Sequence, residues 1–208
     1  MANSKSTRPT PEAFARAAAY LGCDVAAIRA VAQVEAGSQG AFISTGPNAG
    51  RPTILFEPHI FDRLTNGRFR DAKDPLLSGP SAVLSRERWA PGTYGPFSAQ
   101  YARFNAAAQL NRQAAIKATS WGLFQILGEN YKRCGFEGPE DFVGAMYRDV
   151  DAHLLAFTHF IESDKGLRQA LIAHNWVTFA RIYNGPGYRR NSYDSKLVAA
   201  YEHEAALV

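Results

Sequence analysis

The sequence predicts a mainly α-helical protein with a small β element. Apolar residues recur at helical spacing near the N-terminus and through most of the second half, whereas only one short run, 53–57, is rich in β-branched and aromatic residues. The 208 residues are 46% apolar and 20% charged, and no linker separates two compositionally distinct halves. We therefore predict one domain over residues 1–208, with residues 1–9 flexible.

Two helices are expected near the N-terminus. Residues 10–12 read Thr-Pro-Glu, which supplies a cap, a proline at the first helical position and an acid in the first turn, and Gly22 ends the helix. Asp24 can cap a second helix, which Gly37 stops.

The middle of the chain is predicted to be largely irregular. Residues 38–51 are rich in Gly, Ser, Thr, Asn and Pro and are expected to form a loop, followed by a short strand over 53–57. Residues 59–64 are predicted to be helical. Residues 71–97, which contain several prolines, are predicted to be a long irregular segment, and such segments often contribute to a site.

The second half is predicted to be helical. Residues 100–117 form an Ala-rich helix, and 167–174, 176–182 and 192–204 supply three more. A further apolar stripe predicts one central core helix, formed by Phe142, Met146, Val150, Leu154, Phe157 and Ile161.

Charge and composition limit the possible partners. Lys and Arg number 23 and Asp and Glu 19, which gives a net charge of +4 and favours anionic partners such as nucleic acid, acidic lipid or bacterial wall polymers. No stretch approaches the roughly 20 apolar residues of a membrane span, and no signal peptide is evident. Cys23 and Cys134 allow one disulfide at most and are expected to be reduced.

Glu35 is the leading candidate for acid catalysis. It lies within about 60° of Ile28 and Val31 on the helical wheel, one turn from the helix end. Desolvation and the negative end of the helix dipole both disfavour the carboxylate, so we expect a raised pKa suited to a general acid. The alternative is an exposed glutamate on a frayed last turn.

Glu35 lies in the first of three segments that together form a recognisable pattern. They are V-E-A-G at 34–37, T-S-W-G-L-F-Q-I at 119–126 and A-R-I-Y-N-G-P-G at 180–187. In this order they resemble the lysozyme-like superfamily, in particular goose-type lysozymes and soluble lytic transglycosylases. With R-P-T-I-L-F-E-P-H-I-F at 51–61, the chain is most similar to the N-acetylmuramidase family of phage endolysins, over roughly residues 26–201.

The resemblance implies a lysozyme-like α+β fold and a muramidase that cleaves the β-1,4 bond between N-acetylmuramic acid and N-acetylglucosamine in peptidoglycan. It implies that Glu35 is the catalytic acid, that Ser120 and Gln125 belong to a turn lining the cleft, and that Tyr183 and Asn184 form a pair beside the acid. Tyr183 is expected to support the acid or contact substrate, with a purely packing role as the alternative. Gln125 and Asn184 could recognise N-acetyl amides.

One departure bears on the chemistry. Lytic transglycosylases commonly have Ser directly after the catalytic Glu, whereas here Ala36 follows Glu35. Hydrolysis is therefore predicted, with a transglycosylase that yields 1,6-anhydro products as the alternative.

Glu57 is the leading candidate for a second carboxylate. Strand alternation places Thr53, Leu55 and Glu57 on one side of the predicted strand. A separation of about 6.5–9.5 Å from Glu35 would leave room for a water and imply inversion, whereas about 5 Å would imply retention. The alternative is a structural ion pair of Glu57 with Arg51 or Arg63.

Other functions find less support. The histidines form no metal-binding motif, neither cysteine lies in a catalytic signature, and no cofactor is implied. Trp121 is predicted to lie in the core, whereas Tyr188 could stack on a sugar. A basic nucleic-acid-binding protein using Arg189 and Arg190 is the non-enzymatic alternative.

The expected partner is bacterial peptidoglycan, with neither nucleic acid nor stable membrane insertion involved, and the expected state is a monomer. We expect synthesis in the host cytoplasm and action in the periplasm or cell wall after release through a membrane lesion made by another protein.

Overall fold

The computed structural model describes residues 6–75, 77–90 and 92–207. In this part of the chain it contains a three-stranded sheet and nine α-helices, which confirms the predicted mainly α fold with a small β element. The expectation for residues 1–9 falls partly outside the described residues. The elements in chain order are α1 Pro11–Leu21, α2 Val25–Ala36, β1 Ile54–Phe56, α3 Pro58–Leu64, α4 Gln100–Lys117, β2 Thr119–Trp121, β3 Ile126–Leu127, α5 Pro139–Arg148, α6 Val150–Glu162, α7 Lys165–Ile172, α8 Trp176–Asn184 and α9 Tyr193–Ala205.

The first two helices begin and end where their sequence signals place them. The Thr10 hydroxyl accepts a hydrogen bond from the Ala13 N–H at 3.1 Å, and Gly22 ends α1 in the left-handed conformation with φ 74°. Asp24 caps α2 by accepting the Ala27 N–H at 2.6 Å. Helix α2 then packs against α9, so its C-terminal turn is held by the last helix of the chain.

The predicted central core helix is wrong in one respect, because it is two helices. Asp149 is fully extended, with φ −163° and ψ 169°, and its side chain caps α6 by accepting the Ala152 N–H at 2.7 Å. The apolar stripe continues in phase across this break, so periodicity alone conceals it. Residue Asn111 similarly interrupts α4 with φ −159°, and its side chain accepts the Ala114 N–H at 3.0 Å.

The β element is larger than the single predicted strand. Strand β1 pairs antiparallel with β2, with Ile54 opposite Trp121, and β2 pairs antiparallel with β3. The segment 119–126, expected to be a turn, is therefore part of a hairpin. Trp121 is 1% exposed and its indole N–H donates to the Ile116 carbonyl at 3.2 Å, which confirms its place in the core.

Two buried side chains on α4 hold the irregular 71–97 segment to the sheet. Gln100 accepts the Phe56 N–H at 3.0 Å and donates to the Tyr94 carbonyl at 2.5 Å. The Arg103 guanidinium donates to the same Tyr94 carbonyl at 2.5 Å and to the Val83 carbonyl at 3.1 Å. The segment is thus fixed at the end of β1.

One hydrophobic core runs through the described residues and joins α1 to α9. No single helix there is long and apolar enough to cross a membrane; α1 and α2 together have the length and composition, but they meet at a bend of 111°. Cys23 and Cys134 are both free, as expected.

Candidate active site

A cleft of about 990 Å³ lies where the C-terminal turn of α2, the sheet, the 71–97 segment and the connection between α8 and α9 meet. The structure brings all six residues that the sequence singles out to this cleft. They are Glu35, Glu57, Ser120, Gln125, Tyr183 and Asn184.

The Glu35 carboxyl group lies half-buried in the cleft wall, in the last turn of α2. The Tyr193 hydroxyl donates a hydrogen bond to its Oε1 atom, and the Asn184 side chain also hydrogen-bonds the carboxylate. Burial raises the pKa of Glu35 to about 8, although both hydrogen bonds favour the charged form and pull the pKa down. At neutral pH Glu35 therefore carries a proton that it can donate.

Tyr183 does not hold the acid. Its hydroxyl donates to the Phe124 carbonyl at 2.7 Å, and its ring stacks on Phe179 with a centroid separation of 5.3 Å. It thus fixes the end of α8 against the loop between β2 and β3, which is the packing role. The predicted hydrogen bond to Glu35 comes from Tyr193 instead.

Glu57 follows β1 directly and receives hydrogen bonds from two hydroxyls. Ser120 donates to Oε1 at 3.3 Å and Tyr94 donates to Oε2 at 3.3 Å, while His59 Nε2 lies 3.7 Å from Oε2. Burial raises the pKa of Glu57, and the hydrogen bonds from Ser120 and Tyr94 oppose that shift. These donors stabilise a carboxylate in the cleft.

The alternative of an ion pair between Glu57 and Arg51 or Arg63 is wrong. Arg63 pairs with Glu129 at 2.7 Å, and the Arg51 guanidinium lies 5.1 Å from the centre of the Tyr101 ring.

The side-chain amide nitrogen of Gln125 forms hydrogen bonds within the protein. Its backbone has a positive φ of 44°, and Nε2 donates to the Gly122 carbonyl at 2.8 Å and to the Thr53 carbonyl at 3.3 Å. Because these hydrogen bonds occupy Nε2, the side-chain oxygen Oε1 is the amide atom that is still available to bind substrate. Asn184, at the end of α8, hydrogen-bonds both Glu35 and Tyr193.

Sequence reasoning missed three residues of the site. Tyr193 and Tyr94 are the hydroxyl donors to the two glutamates. The third is Thr53, which lines the cleft, is 5% exposed and has a hydroxyl with no hydrogen-bond partner in the described part of the chain. The usable signals were indirect: Tyr94 lies in the long irregular segment, and Thr53 shares a strand face with Glu57.

Tyr188, which was expected to offer a ring to a sugar, is 7% exposed, and its hydroxyl accepts a hydrogen bond from Arg189 Nε at 3.0 Å. Its ring is therefore largely covered by the protein, although the residue lines the cleft.

Comparison with known proteins identifies the family of the chain. Residues 24–205 match the N-acetylmuramidase family. The fold is similar to the crystal structure of the Burkholderia AP3 phage endolysin, with a TM-score of 0.76 and 37% sequence identity over 97% of this chain and 72% of that chain. No curated protein sequence matches significantly. The chain therefore belongs to the N-acetylmuramidase family of glycoside hydrolases.

Proposed function

We propose that this endolysin-type peptidoglycan hydrolase cleaves the β-1,4 bond between N-acetylmuramic acid and N-acetylglucosamine, with Glu35 as the general acid. The observation that carries the proposal is the position of the partly buried Glu35 carboxyl in the cleft wall, beside the Tyr193 hydroxyl and with a pKa raised to about 8, which favours the protonated form at neutral pH. Protonation of the glycosidic oxygen allows the leaving sugar to depart as an alcohol, while positive charge develops on the other ring.

Glu57 is proposed as the general base that activates the attacking water. Its two hydroxyl donors, Ser120 and Tyr94, stabilise and orient the carboxylate. The unpartnered Thr53 hydroxyl shares the strand face of Glu57 and is suited to bind the same water. A water held in this way predicts inversion at the anomeric carbon, which NMR of the first-formed product would detect.

The remaining site residues are proposed to position the reacting groups and the substrate. Asn184 orients both Glu35 and Tyr193, and Gln125 fixes the hairpin while its Oε1 accepts a hydrogen bond from an N-acetyl N–H. Tyr183 anchors the end of α8 that carries Asn184.

Replacement of the acid tests the proposal. Glu35→Gln keeps the size of the side chain and removes the transferable proton, so we expect lysis of purified sacculi at pH 7 to slow by about 100- to 10,000-fold. Glu12→Gln, on the exposed side of α1, is the matched control and should lyse at the wild-type rate. Wild-type lysis by Glu35→Gln would refute the proposed role.

Product analysis separates hydrolysis from transglycosylation. Both reactions begin with the same protonation and differ in whether water or the muramyl 6-hydroxyl attacks the anomeric carbon. We expect mass spectrometry of digested peptidoglycan to show reducing-end muramic acid. A 1,6-anhydro product would instead establish a transglycosylase.

The protein acts on the bacterial cell wall, and we propose that it does so as a monomer after synthesis in the host cytoplasm and release through a membrane lesion. The continuous core supports one catalytic domain over residues 1–208. Sedimentation analysis tests the monomer. A DNA titration tests the proposed absence of nucleic-acid binding, which tight, steeply salt-dependent binding would overturn.

A further inference from the structure

The cleft contains an aromatic and cationic pair that the proposed reaction does not use. Trp89 lies in the 71–97 segment, and Arg190 lies in the short 3₁₀ helix Tyr188–Asn191. Both residues line the cleft, and the Arg190 guanidinium lies 5.2 Å from the centre of the Trp89 ring. The pair therefore joins two segments of the cleft wall that are about 100 residues apart in sequence.

Trp89 has the properties of a sugar-stacking residue. It is 40% exposed, whereas Trp121 and Trp176, the other two tryptophans of the chain, are 1% and 6% exposed. A large exposed indole in the cleft leaves apolar ring surface open to a ligand. The indole is held by a side-chain hydrogen bond to Tyr94, which in turn donates to Glu57. A sugar stacked on Trp89 would thus lie beside the second carboxylate.

Arg190 has the properties of an anion-binding residue. In the described ranges no carboxylate oxygen lies within 4.0 Å of it, whereas Arg63 is paired with Glu129. A guanidinium presents a planar fork of donors that matches a carboxylate, and its contact with an aromatic ring does not use those donors in hydrogen bonds. Arg190 therefore supplies a charged contact within the cleft.

We infer that Trp89 and Arg190 form a subsite that recognises a muramic acid unit through its carboxylate. The indole stacks on the sugar ring, and the guanidinium pairs with a carboxylate on the 3-O-lactyl substituent. That carboxylate is either the free lactyl group or the first carboxylate of the attached stem peptide. The inference rests on the proposed function, because it assumes that the cleft binds peptidoglycan glycan.

A binding experiment tests the subsite without turnover. In the Glu35→Gln background, three soluble ligands would be titrated: glycan chains with stem peptides, the same chains after amidase removal of the peptides, and chitooligosaccharides, which carry no carboxylate. Because Trp89 is 40% exposed and the other two tryptophans are buried, we expect the ligand-induced change in tryptophan fluorescence to come mainly from Trp89. We expect all three ligands to alter the fluorescence, and a glycan bearing the recognised carboxylate to bind more tightly than chitooligosaccharides.

Arg190→Gln, added to Glu35→Gln, is expected to weaken binding of a carboxylate-bearing glycan by about ten-fold and to leave chitooligosaccharide binding unchanged. An effect on the amidase-treated chains identifies the lactyl carboxylate, and an effect on the peptide-bearing chains alone identifies the stem peptide. Arg181→Gln, an exposed arginine on α8 outside the cleft lining, removes the same charge and should bind all three ligands normally.

Unchanged affinity of Arg190→Gln for both carboxylate-bearing glycans would overturn the subsite, as would a Trp89 fluorescence insensitive to every ligand. Neither result depends on catalysis, so the subsite can fail while Glu35 remains the acid. Conversely, wild-type lysis by Glu35→Gln would refute the proposed function without altering these affinities.

Discussion

The Tyr193 hydroxyl donates a hydrogen bond to Glu35 Oε1, which joins the first residue of α9 to the last turn of α2 across 158 residues of sequence. The two helices pack along each other, so the contact is part of a rigid interface. The hydrogen bond favours the carboxylate, whereas burial favours the neutral acid, and burial dominates. The proton affinity of Glu35, the proposed catalytic acid, is therefore set by two opposing contributions that can be separated by mutation.

Removal of the Tyr193 hydroxyl should raise the pKa of Glu35 further. Tyr193→Phe eliminates a donor to the charged form, so we expect the alkaline limb of the pH–rate profile, near pH 8 in the wild type, to move to higher pH by about one unit. Tyr20→Phe, on an α1 residue that is 55% exposed, should leave the limb in place. A limb that stays fixed or moves to lower pH in Tyr193→Phe would contradict this account.

Glu57 should be required for turnover and dispensable for the protonation of Glu35. We expect Glu57→Ala to lower kcat on sacculi by about 100-fold, because it removes the proposed base, and to leave the alkaline limb near pH 8. The measurement is the full pH–rate profile of the variant. Lysis at the wild-type rate would remove Glu57 from the mechanism.

Ser120 should act through Glu57. Its hydroxyl favours the charged form of that carboxylate, so Ser120→Ala should raise the pKa of Glu57 and move the acid limb of the profile to higher pH. The exposed Ser195→Ala variant on α9 is the matched control. If Ser120→Ala lowered the rate equally at every pH, Ser120 would instead be a direct substrate contact.

The sequence predicted the elements whose signals are local. Thr10 and Asp24 cap their helices as expected, because a cap depends on residues within one turn. All six site residues reached the cleft for a related reason, since each lies in a short segment whose pattern is recognisable without the fold. The break at Asp149 escaped detection because one extended residue preserves the phase of the apolar stripe.

The hydroxyl donors could not be predicted in the same way. Tyr94 and Glu57 are 37 residues apart, and their contact depends on Gln100 and Arg103 holding the irregular segment against β1. Tyr193 lies on the apolar face of α9, where a tyrosine is usually core, and only the packing of α9 on α2 brings its hydroxyl to Glu35. Such contacts are properties of the tertiary structure.

Burial of Glu35 should cost stability as the pH rises. The pKa of Glu35 is about 8 in the folded state and 4.5 ordinarily, so the folded state holds this proton more tightly than the unfolded state. The stability that comes from the protonated side chain is therefore fully present below pH 4.5 and is lost as the pH rises toward 8. At pH 7 the loss is about 3 kcal/mol. The Glu35→Gln variant lacks this pH dependence. Urea unfolding should therefore show that the free energy of unfolding of the variant, relative to that of the wild type, is higher at pH 7 than at pH 4 by that amount. Equal differences at the two pH values would contradict the raised pKa, and Glu12→Gln serves as the exposed control.

Gly122 should be essential for the hairpin that carries Ser120 and Gln125. It has a positive φ of 69°, and a Cβ atom there would lie 2.6 Å from His153 Nδ1, the atom that accepts the Leu123 N–H at 3.1 Å. His153 is 1% exposed and its Nε2 is 2.7 Å from the Met146 carbonyl, so the ring has little room to move. We therefore expect Gly122→Ala to lower the free energy of unfolding by about 2 kcal/mol or more.

The matched control for that substitution is Gly144→Ala. Gly144 lies in α5, and a Cβ atom there would meet no heavy atom within 4 Å, so the better helix propensity of alanine should stabilise the protein by about 0.5–1 kcal/mol. Urea unfolding measures the stability of both variants. The rate of sacculus lysis, measured under conditions where both variants are folded, should fall in Gly122→Ala alone, because Ser120 and Gln125 flank the displaced turn. A Gly122→Ala protein that is as stable and as active as the wild type would contradict this prediction, because it would show that the buried His153 ring can move to make room for the methyl group.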